Sequence, residues 1–315
     1  MNTKDIYDKI TSIIIEMLET HKANNYSQSW YNISGDSVFA KNIVSNHVYN
    51  GINQLLLNYL KQKYHYKFNR WLTFKQLSEL NGKIQKGSKA AMVVFKSCLY
   101  FDVESERNIT KLVEHMQKSN QSTEHLNLKK VSYLKYFHVF NVSQVDNLPE
   151  EYYKVQEIEK LTEFERDERA ELVINGSGVV IEYAPSNDAL YNWAKDKIYM
   201  PERKQFVSAE AFYNVLFHEM GHWTGNPSRL NRPQNNKFGS KDYAFEELIA
   251  EINAAYLSAM LRYESRITNN VSYIDNWLSV MKNEKKFIIQ ASSQAQQSAD
   301  YILDKSKVFE EVKAE

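Results

Sequence analysis

Apolar residues recur along the N-terminal twenty positions at three- and four-residue intervals: Ile6, Ile10, Ile13, Ile14, Met17 and Leu18. That spacing predicts an amphipathic helix over 3–20. "NGINQLLLNYLKQKY", 50–64, predicts a second helix with Asn50 as N-cap, and "TFKQLSELNG", 73–82, a short third one capped by Thr73 and stopped at Gly82. "AAMVVFKSCLYF", 90–101, and "YLKYFHVFNV", 133–142, are β-branched and aromatic and predict partner strands. The polar stretch between them, 103–130, predicts a long excursion. Leu148-Pro149 and the acidic run after it mark a boundary near 150, giving domains 1–150 and 151–315. The second is expected to hold a charged helix over 155–172, short strands at 176–183 and 197–201 ("KIYMP"), and helices over 208–224, 241–262, 271–288 and 289–311. "KIYMP" reads equally as an edge strand, where an extended peptide could add, and as an ordinary strand covering a helix. The expected fold class is α+β in two domains, an α+β N-terminal one and a mostly helical C-terminal one with a small sheet.

Composition narrows the class. With 315 residues, 43% of them apolar and 21 Tyr, 15 Phe and 5 Trp, the chain can bury sizeable cores and is not a disordered one. The single cysteine, Cys98, excludes an internal disulfide framework and, inside an apolar run, is expected to be a buried, inert thiol. No stretch approaches the ~20 apolar residues of a membrane span, and the charged N-terminus lacks a signal-peptide pattern, so a cytoplasmic location is expected. The net charge of zero hides an asymmetry: residues 1–150 carry 19 Lys+Arg against 13 Asp+Glu, and 151–315 carry 20 against 26.

"HEMGH", 218–222, carries the clearest chemistry. Ser208 can cap its helix and Gly225 can end it, so His218 and His222 lie one turn apart on one face, the spacing two imidazoles need around one tetrahedral zinc. Glu219 stands beside them as the candidate general base toward a water on the ion. The two histidines are the only ones after residue 138. A third ligand is required. Ser228 occupies the position where one zinc-peptidase class has a third histidine, which leaves a carboxylate of "YAFEELIAEINAAYL", 243–257. Glu247 and Glu251 share a face beside an apolar stripe, so one can bind the ion while the other accepts from a ligating imidazole. Glu247 is the expected ligand and Glu251 the expected supporting carboxylate, with the exchanged assignment left open. The alternative is that Glu246 and Glu247 are simply helix-solubilising charges.

The N-terminal half suggests a nucleic-acid groove. Residues 60–100 contain nine lysines and arginines, among them Arg70, Lys75, Lys83, Lys86 and Lys89, against Glu79 alone, interleaved with Tyr64, Tyr66, Phe68, Trp71 and Phe74. Cations that track phosphates and rings that stack on bases are what single-stranded DNA requires. A basic face over an ordinary aromatic core would look the same in sequence.

Taken in order, these motifs resemble ArdC-type antirestriction proteins. "YNGINQLLL", "RWLTFKQLSELNGKIQKGSKAAMVVF" and "YFHVFNVSQVDNLP" resemble that family's single-stranded-DNA-binding domain. "DKIYMPERKQFVSAEAFYNVLFHEMGHWTGNPSRLNR" and "YAFEELIAEINAAYL" resemble its zincin-type metallopeptidase domain. The resemblance implies a protein of plasmids, phages or related mobile elements that binds incoming single-stranded DNA and protects it from host restriction. It implies Zn2+ on His218, His222 and a Glu of "EELIAE", a gluzincin-type arrangement, with Glu219 as catalytic base. It places Tyr49, Asn50, Gly51, Trp71, Thr73, Gln76, Lys86 and Gly87 on recurring positions of the DNA-binding domain. The family commonly has His where Asn226 stands, and Glu-Lys-Gly where Ser88, Lys89 and Ala90 stand. The expected partners are single-stranded DNA and a protein substrate bound to it. Two other functions use the same parts: a DNA-dependent metalloprotease acting on DNA-bound proteins, or a non-enzymatic DNA-coating protein with structural zinc.

Overall fold

The computed structural model describes residues 3–24, 29–31, 37–155, 162–233, 239–265, 267–268 and 271–308. Helix α1 (Thr3–Ala23) follows the apolar spacing and buries Ile6, Ile10, Ile14, Met17 and Leu18. Then come β1 (Lys41–Asn42), α2 (Ile52–Lys63), β2 (Arg70–Thr73), α3 (Phe74–Glu79), β3 (Lys83–Ile84), β4 (Ala91–Asp102), α4 (Thr110–Lys118), β5 (Leu128–Asn141) and β6 (Val145–Asp146). The main sheet has the order β1-β2-β5-β4, with β1 parallel to β2 and the other neighbours antiparallel. Strands β3 and β6 form a separate two-stranded ladder. Thr73 caps α3 as expected, in a reciprocal box with Gln76.

Several expectations are corrected here. Asn50 does not cap α2. The cap is Gly51, at φ 53 and without a side-chain bond, because the chain enters the helix through a left-handed turn that glycine adopts freely. The excursion at 103–130 is not structureless: β5 begins at Leu128, and α4 packs Val113 and Met116 under the long β4–β5 hairpin. Cys98 is half-buried rather than buried, because it lies on the outer part of that hairpin, with its Sγ 3.6 Å from Ser132 Oγ.

In the second half, α5 (Glu163–Ser177) is capped by Thr162 and stopped by Gly178 at φ 76. The earlier part of its expected range, 156–161, lies outside the described residues. Strands β7 (Ile181–Ala184), β8 (Leu190–Asn192) and β9 (Lys197–Pro201) precede α6 (Ala209–Thr224), α7 (Lys241–Met260), α8 (Val271–Asn283) and α9 (Phe287–Ser306). Residues 309–311, the end of the last expected helix, also lie outside the described residues. The sheet order β7-β9-β8 makes "KIYMP" the central strand, not an edge, because the unanticipated β8 pairs with its other side.

Helix α7 is the shared wall of two cores. On one side Ala244, Leu248, Ile249 and Ile252 join α1, α2, α8 and α9 through residues such as Ile10, Leu55, Trp277 and Ala291. On the other, Ala254 and Leu257 join Val173, Ile198, Leu216 and Phe217 from α5, β9 and α6. The first core therefore draws on both halves of the chain. Among the described residues no helix is long and apolar enough to cross a membrane.

Candidate metal centre and lysine patch

Helix α6 begins where the Ser208 hydroxyl accepts from Ala211 N at 3.1 Å, and α7 begins where Ser240 accepts from Tyr243 N at 3.1 Å. Both ends thus satisfy otherwise orphaned amides. The helices cross at Gly221, where a Cβ would stand 2.8 Å from Ala250 Cα. Asn253 Nδ2 donates to Phe217 O at 2.8 Å, and Ser298 of α9 holds both Asn253 and Thr224. This close crossing brings α7 carboxylates against the α6 histidines.

His218, His222 and Glu247 offer ligand atoms that lie within 4.8 Å of one another. The imidazole Nε2 atoms are 3.2 Å apart, and Glu247 oxygens lie 3.4 Å from His218 Nε2 and 3.7 Å from His222 Nε2. Zinc bonds of ~2.0–2.1 Å at tetrahedral angles span edges of roughly 3.4 Å between ligand atoms. The donor triangle fits that edge, and its two nitrogens and one oxygen suit zinc chemistry. Glu251 faces the other nitrogen of His218 at 3.9 Å, beyond hydrogen-bond reach, and accepts from Thr268 N at 2.7 Å.

Glu246, which spacing left as a surface charge, is buried. Its Oε1 is 3.4 Å from His222 Nδ1. Arg232 grips the same carboxylate through Nε at 3.0 Å and Nη2 at 2.7 Å, and also donates to Gly221 O and Thr224 Oγ1. Sequence reasoning missed this pair. The supporting carboxylate of His222 is Glu246, a kind of partner that orients and tunes a ligating imidazole.

Glu219 is 8% exposed and accepts from the Tyr191 backbone N–H of β8 at 2.7 Å. Strand β8 is itself anchored: Tyr191 Oη donates to Asp196 and accepts from Asn226 and Arg229. Asn226 therefore ties β8 to the loop after α6. The resulting cavity, about 300 Å³, is lined by these donors with Leu190, Trp193, Tyr243 and Tyr273. The two tyrosine hydroxyls are 3.0 Å apart.

Charge in this cavity is strongly coupled. Burial would lower the His218 pKa, but the Glu247 bond and the charges of Glu219, Glu247 and Glu251 outweigh it and hold it up at about 9. Burial would raise Glu247, yet His218 and His222 hold it down at about 2. These carboxylates favour the protonated form of His218 in the metal-free protein, so an ion binding there would compete with a proton. Burial raises Tyr243 and Tyr273, helped for Tyr243 by the Tyr273 bond and for Tyr273 by the Glu247 charge, so both hydroxyls keep their protons.

The expected DNA-binding residues divide into groups. Lys75, Lys83, Lys86 and Lys89 are exposed, with Phe74 61% exposed beside them, and Gly87 turns the chain at φ 87. Tyr49, Arg70 and Trp71 correct the expectation of direct contact. Trp71 is 0% exposed and donates to Asn69 Oδ1; Arg70 is 5% exposed and donates to the carbonyls of Tyr152 and Lys154; Tyr49 is 4% exposed. None offers a face for stacking, because both faces of β2 are covered: Trp71 packs with Tyr49 into one core, Leu72 packs into another, and Arg70 is held by backbone carbonyls. Thr73 and Gln76 serve the α3 cap, and Gln76 exchanges amide hydrogen bonds with Asn42. Asn50 is exposed but stands apart, at the start of α2.

Residues 168–294 match the family described as zincin-like metallopeptidase, and residues 4–140 match the family described as the N-terminal domain of anti-restriction factor ArdC. Fold and site thus define a zincin-like metallopeptidase domain joined to an ArdC N-terminal domain. Two solved structures of the antirestriction ArdC protein from the R388 plasmid align over nearly the whole chain. The metal-free one has TM-score 0.75 at 29% identity, covering 96% of this chain and 98% of that one. The Mn(II)-bound one has TM-score 0.72 at 29% identity, with 95% and 97% covered. The uncharacterized protein y4eC of Sinorhizobium fredii (strain NBRC 101917 / NGR234) is 31% identical over 300 residues, 95% of this chain and 91% of that protein. The DNA primase TraC of Escherichia coli is 28% identical over 304 residues, but the chain spans only 27% of its length, and 20% of a second TraC. The chain belongs to the ArdC family of antirestriction proteins.

Proposed function

We propose that this protein is a cytoplasmic antirestriction factor that binds single-stranded DNA and uses a zinc-dependent peptidase site against protein on that DNA. The observation that carries the reading is the His218, His222 and Glu247 triangle with Glu219 beside it, fixed by one backbone donor. Similarity to an Mn(II)-bound ArdC supports a divalent ion in this triangle. Two imidazoles and one carboxylate with an open fourth position form a donor set of catalytic zinc sites.

When bound, the ion would polarise a substrate carbonyl and acidify water. The chain supplies the rest. Glu219 takes a proton from the attacking water and returns it to the leaving amine, and Tyr191 N–H fixes the carboxylate for both transfers. The protonated Tyr243 and Tyr273 hydroxyls line the cavity and can donate to the carbonyl oxygen as it gains charge. Strand β8 forms the edge of its sheet beside the cavity, with the Tyr191 N–H of its outer edge held by Glu219. Trp193 and Leu190, 50% and 45% exposed, offer apolar contacts at that rim.

The test is restriction protection and substrate fragmentation, each with and without single-stranded DNA, for wild type, Glu219→Gln and His222→Ala. The peptidase reading requires Glu219→Gln to keep its metal and lose both activities. Full protection by Glu219→Gln would transfer the function to DNA coating, with the metal as a structural element.

A further inference from the structure

We propose that a groove between the two halves of the chain, away from the Lys83–Lys89 patch, is a phosphate track for single-stranded DNA. The proposal rests on the single-strand reading above and adds a site to which the C-terminal half contributes. The groove encloses about 1080 Å³. That is above the ~300–1,000 Å³ of ordinary small-molecule clefts. Its walls are the start of α1, the β4–β5 hairpin, and the α8–α9 turn with the first turns of α9.

Four lysines line it: Lys4, Lys96, Lys285 and Lys286. None of the four is in an ion pair among the described residues. Lys286 lies over the Tyr7 ring at 5.6 Å, which places an aromatic ring beside the cations on the α1 wall. Lys96 faces the groove because it continues the alternation of Met92 and Val94, whose side chains enter the α2 core, and pairs with Leu134 across the hairpin. Two acids also line it: Glu284 is paired with Lys241, while Asp300 keeps its charge and accepts from Gln296, so the four lysines outnumber the carboxylates here.

The backbone adds to the positive field. Helices α1, α2 and α9 all begin at this groove, at Thr3, Ile52 and Phe287, while only α8 ends there, at Asn283. Neither α2 nor α9 has a side-chain cap at its start. Each helix start carries roughly half a positive charge, so anions are favoured where several converge. Gln290, Gln294 and Gln297 form one stripe on α9, with amides that can serve any base. The "YNG" turn joins the two halves here: Gly51 N donates to Gln296 Oε1 at 3.2 Å, which leaves exposed Asn50 on the rim. Cations, helix starts, an aromatic ring and neutral amides together fit a flexible polyanion with stackable bases better than an acidic peptide.

The experiment measures anisotropy of a labelled oligo-dT of ~20 nucleotides across a salt series. It compares wild type, Lys285→Glu/Lys286→Glu and Lys83→Glu/Lys86→Glu, with thermal melts to verify folding. The groove variant should bind about tenfold more weakly, and its log–log salt slope should fall by roughly 1.4, at ~0.7 per lost phosphate contact. Lys285→Arg/Lys286→Arg should retain binding. Oligomers carrying 5-iodouridine should cross-link to Tyr7 in the wild-type protein, a readout that stands even if the charge reversal unfolds the chain. Wild-type affinity and slope in the groove variant, with loss only in the patch variant, would overturn the groove and leave the single-strand reading intact. Displacement of oligo-dT by poly-glutamate at equal charge would overturn the choice of ligand. No oligo-dT binding by wild type would remove the underlying reading.

Discussion

Gly221, the fourth letter of "HEMGH", offers a sharp test of how the site is assembled. In Gly221→Ala the new Cβ would stand 2.8 Å from Ala250 Cα, 3.2 Å from Ala250 Cβ and 3.3 Å from Asn253 Nδ2. Carbon atoms in contact settle at ~3.5–4.0 Å, so α7 must retreat from α6 by roughly 0.7 Å or more. Overpacking of this kind costs about 1–3 kcal/mol. Replacing glycine inside a helix returns about 1 kcal/mol. The net effect on stability is therefore a loss of up to about 2 kcal/mol, readable in a urea titration. The effect on metal is larger, because α7 carries Glu247 while α6 carries both histidines. Coordination tolerates only about 0.2 Å, so a retreat several times that should cost ~10–100-fold in affinity. Competition against a chromophoric chelator measures it. Zinc affinity within twofold of wild type, at an unchanged urea midpoint, would refute the claim that the close crossing sets the donor triangle.

Other expectations follow from the same contacts. Glu246→Ala leaves Arg232 buried without its partner and should cost ~3–5 kcal/mol in urea unfolding, whereas Glu246→Leu/Arg232→Met should recover part of that. Zinc at about 100 times its dissociation constant should add ~2.7 kcal/mol of stability, and none in His222→Ala. A chelator titration followed by thermal melts checks both. Trp71→Ala should destabilise the fold by ~3–5 kcal/mol. Phe74→Ala, at an exposed ring, should leave stability within ~0.5 kcal/mol and weaken oligo-dT binding by ~1–3 kcal/mol. Paired melts and anisotropy separate the two rings.

The part of the site that local rules govern was legible in sequence. The Ser208 cap, the four-residue histidine spacing and the end of α6 near Gly225 each depend on residues within a few turns. "KIYMP" was read with its true bounds for the same reason. Its place in the sheet was not, because β8 is three residues long and has no periodicity to announce it. The α7 carboxylates were hard to sort for a different reason. That helix buries Ala244, Leu248, Ile249, Ala250, Ile252 and Leu257, residues pointing around most of its circumference. A helix buried on nearly all sides has no polar face against which to phase Glu246, Glu247 and Glu251. Only the crossing at Gly221, a contact between distant segments, separates their roles. Arg232, ten residues beyond His222, closes the stretch that carries the family resemblance, but no local spacing ties it to Glu246.

The misread DNA contacts have a related cause. Interleaved rings and cations around Arg70 and Trp71 look alike whether the strand faces solvent or lies between neighbours. Strand β2 is covered on both faces, Trp71 entering one core and Leu72 another, and Arg70 is spent on backbone carbonyls. The charge asymmetry about residue 150 has its limits for the same reason. It describes surfaces, while the interior ignores it: Ile6, Ile10 and Ile14 of the basic half share a core with Ile274, Trp277 and Met281 of the acidic half. An isolated 151–315 segment would expose that face of α7 and α8 to water, an apolar patch that favours self-association. The zincin-like half is thus built onto the N-terminal helices. DNA bound where α1, α2 and α9 begin would press on the same helical core that holds Glu247 against its histidines.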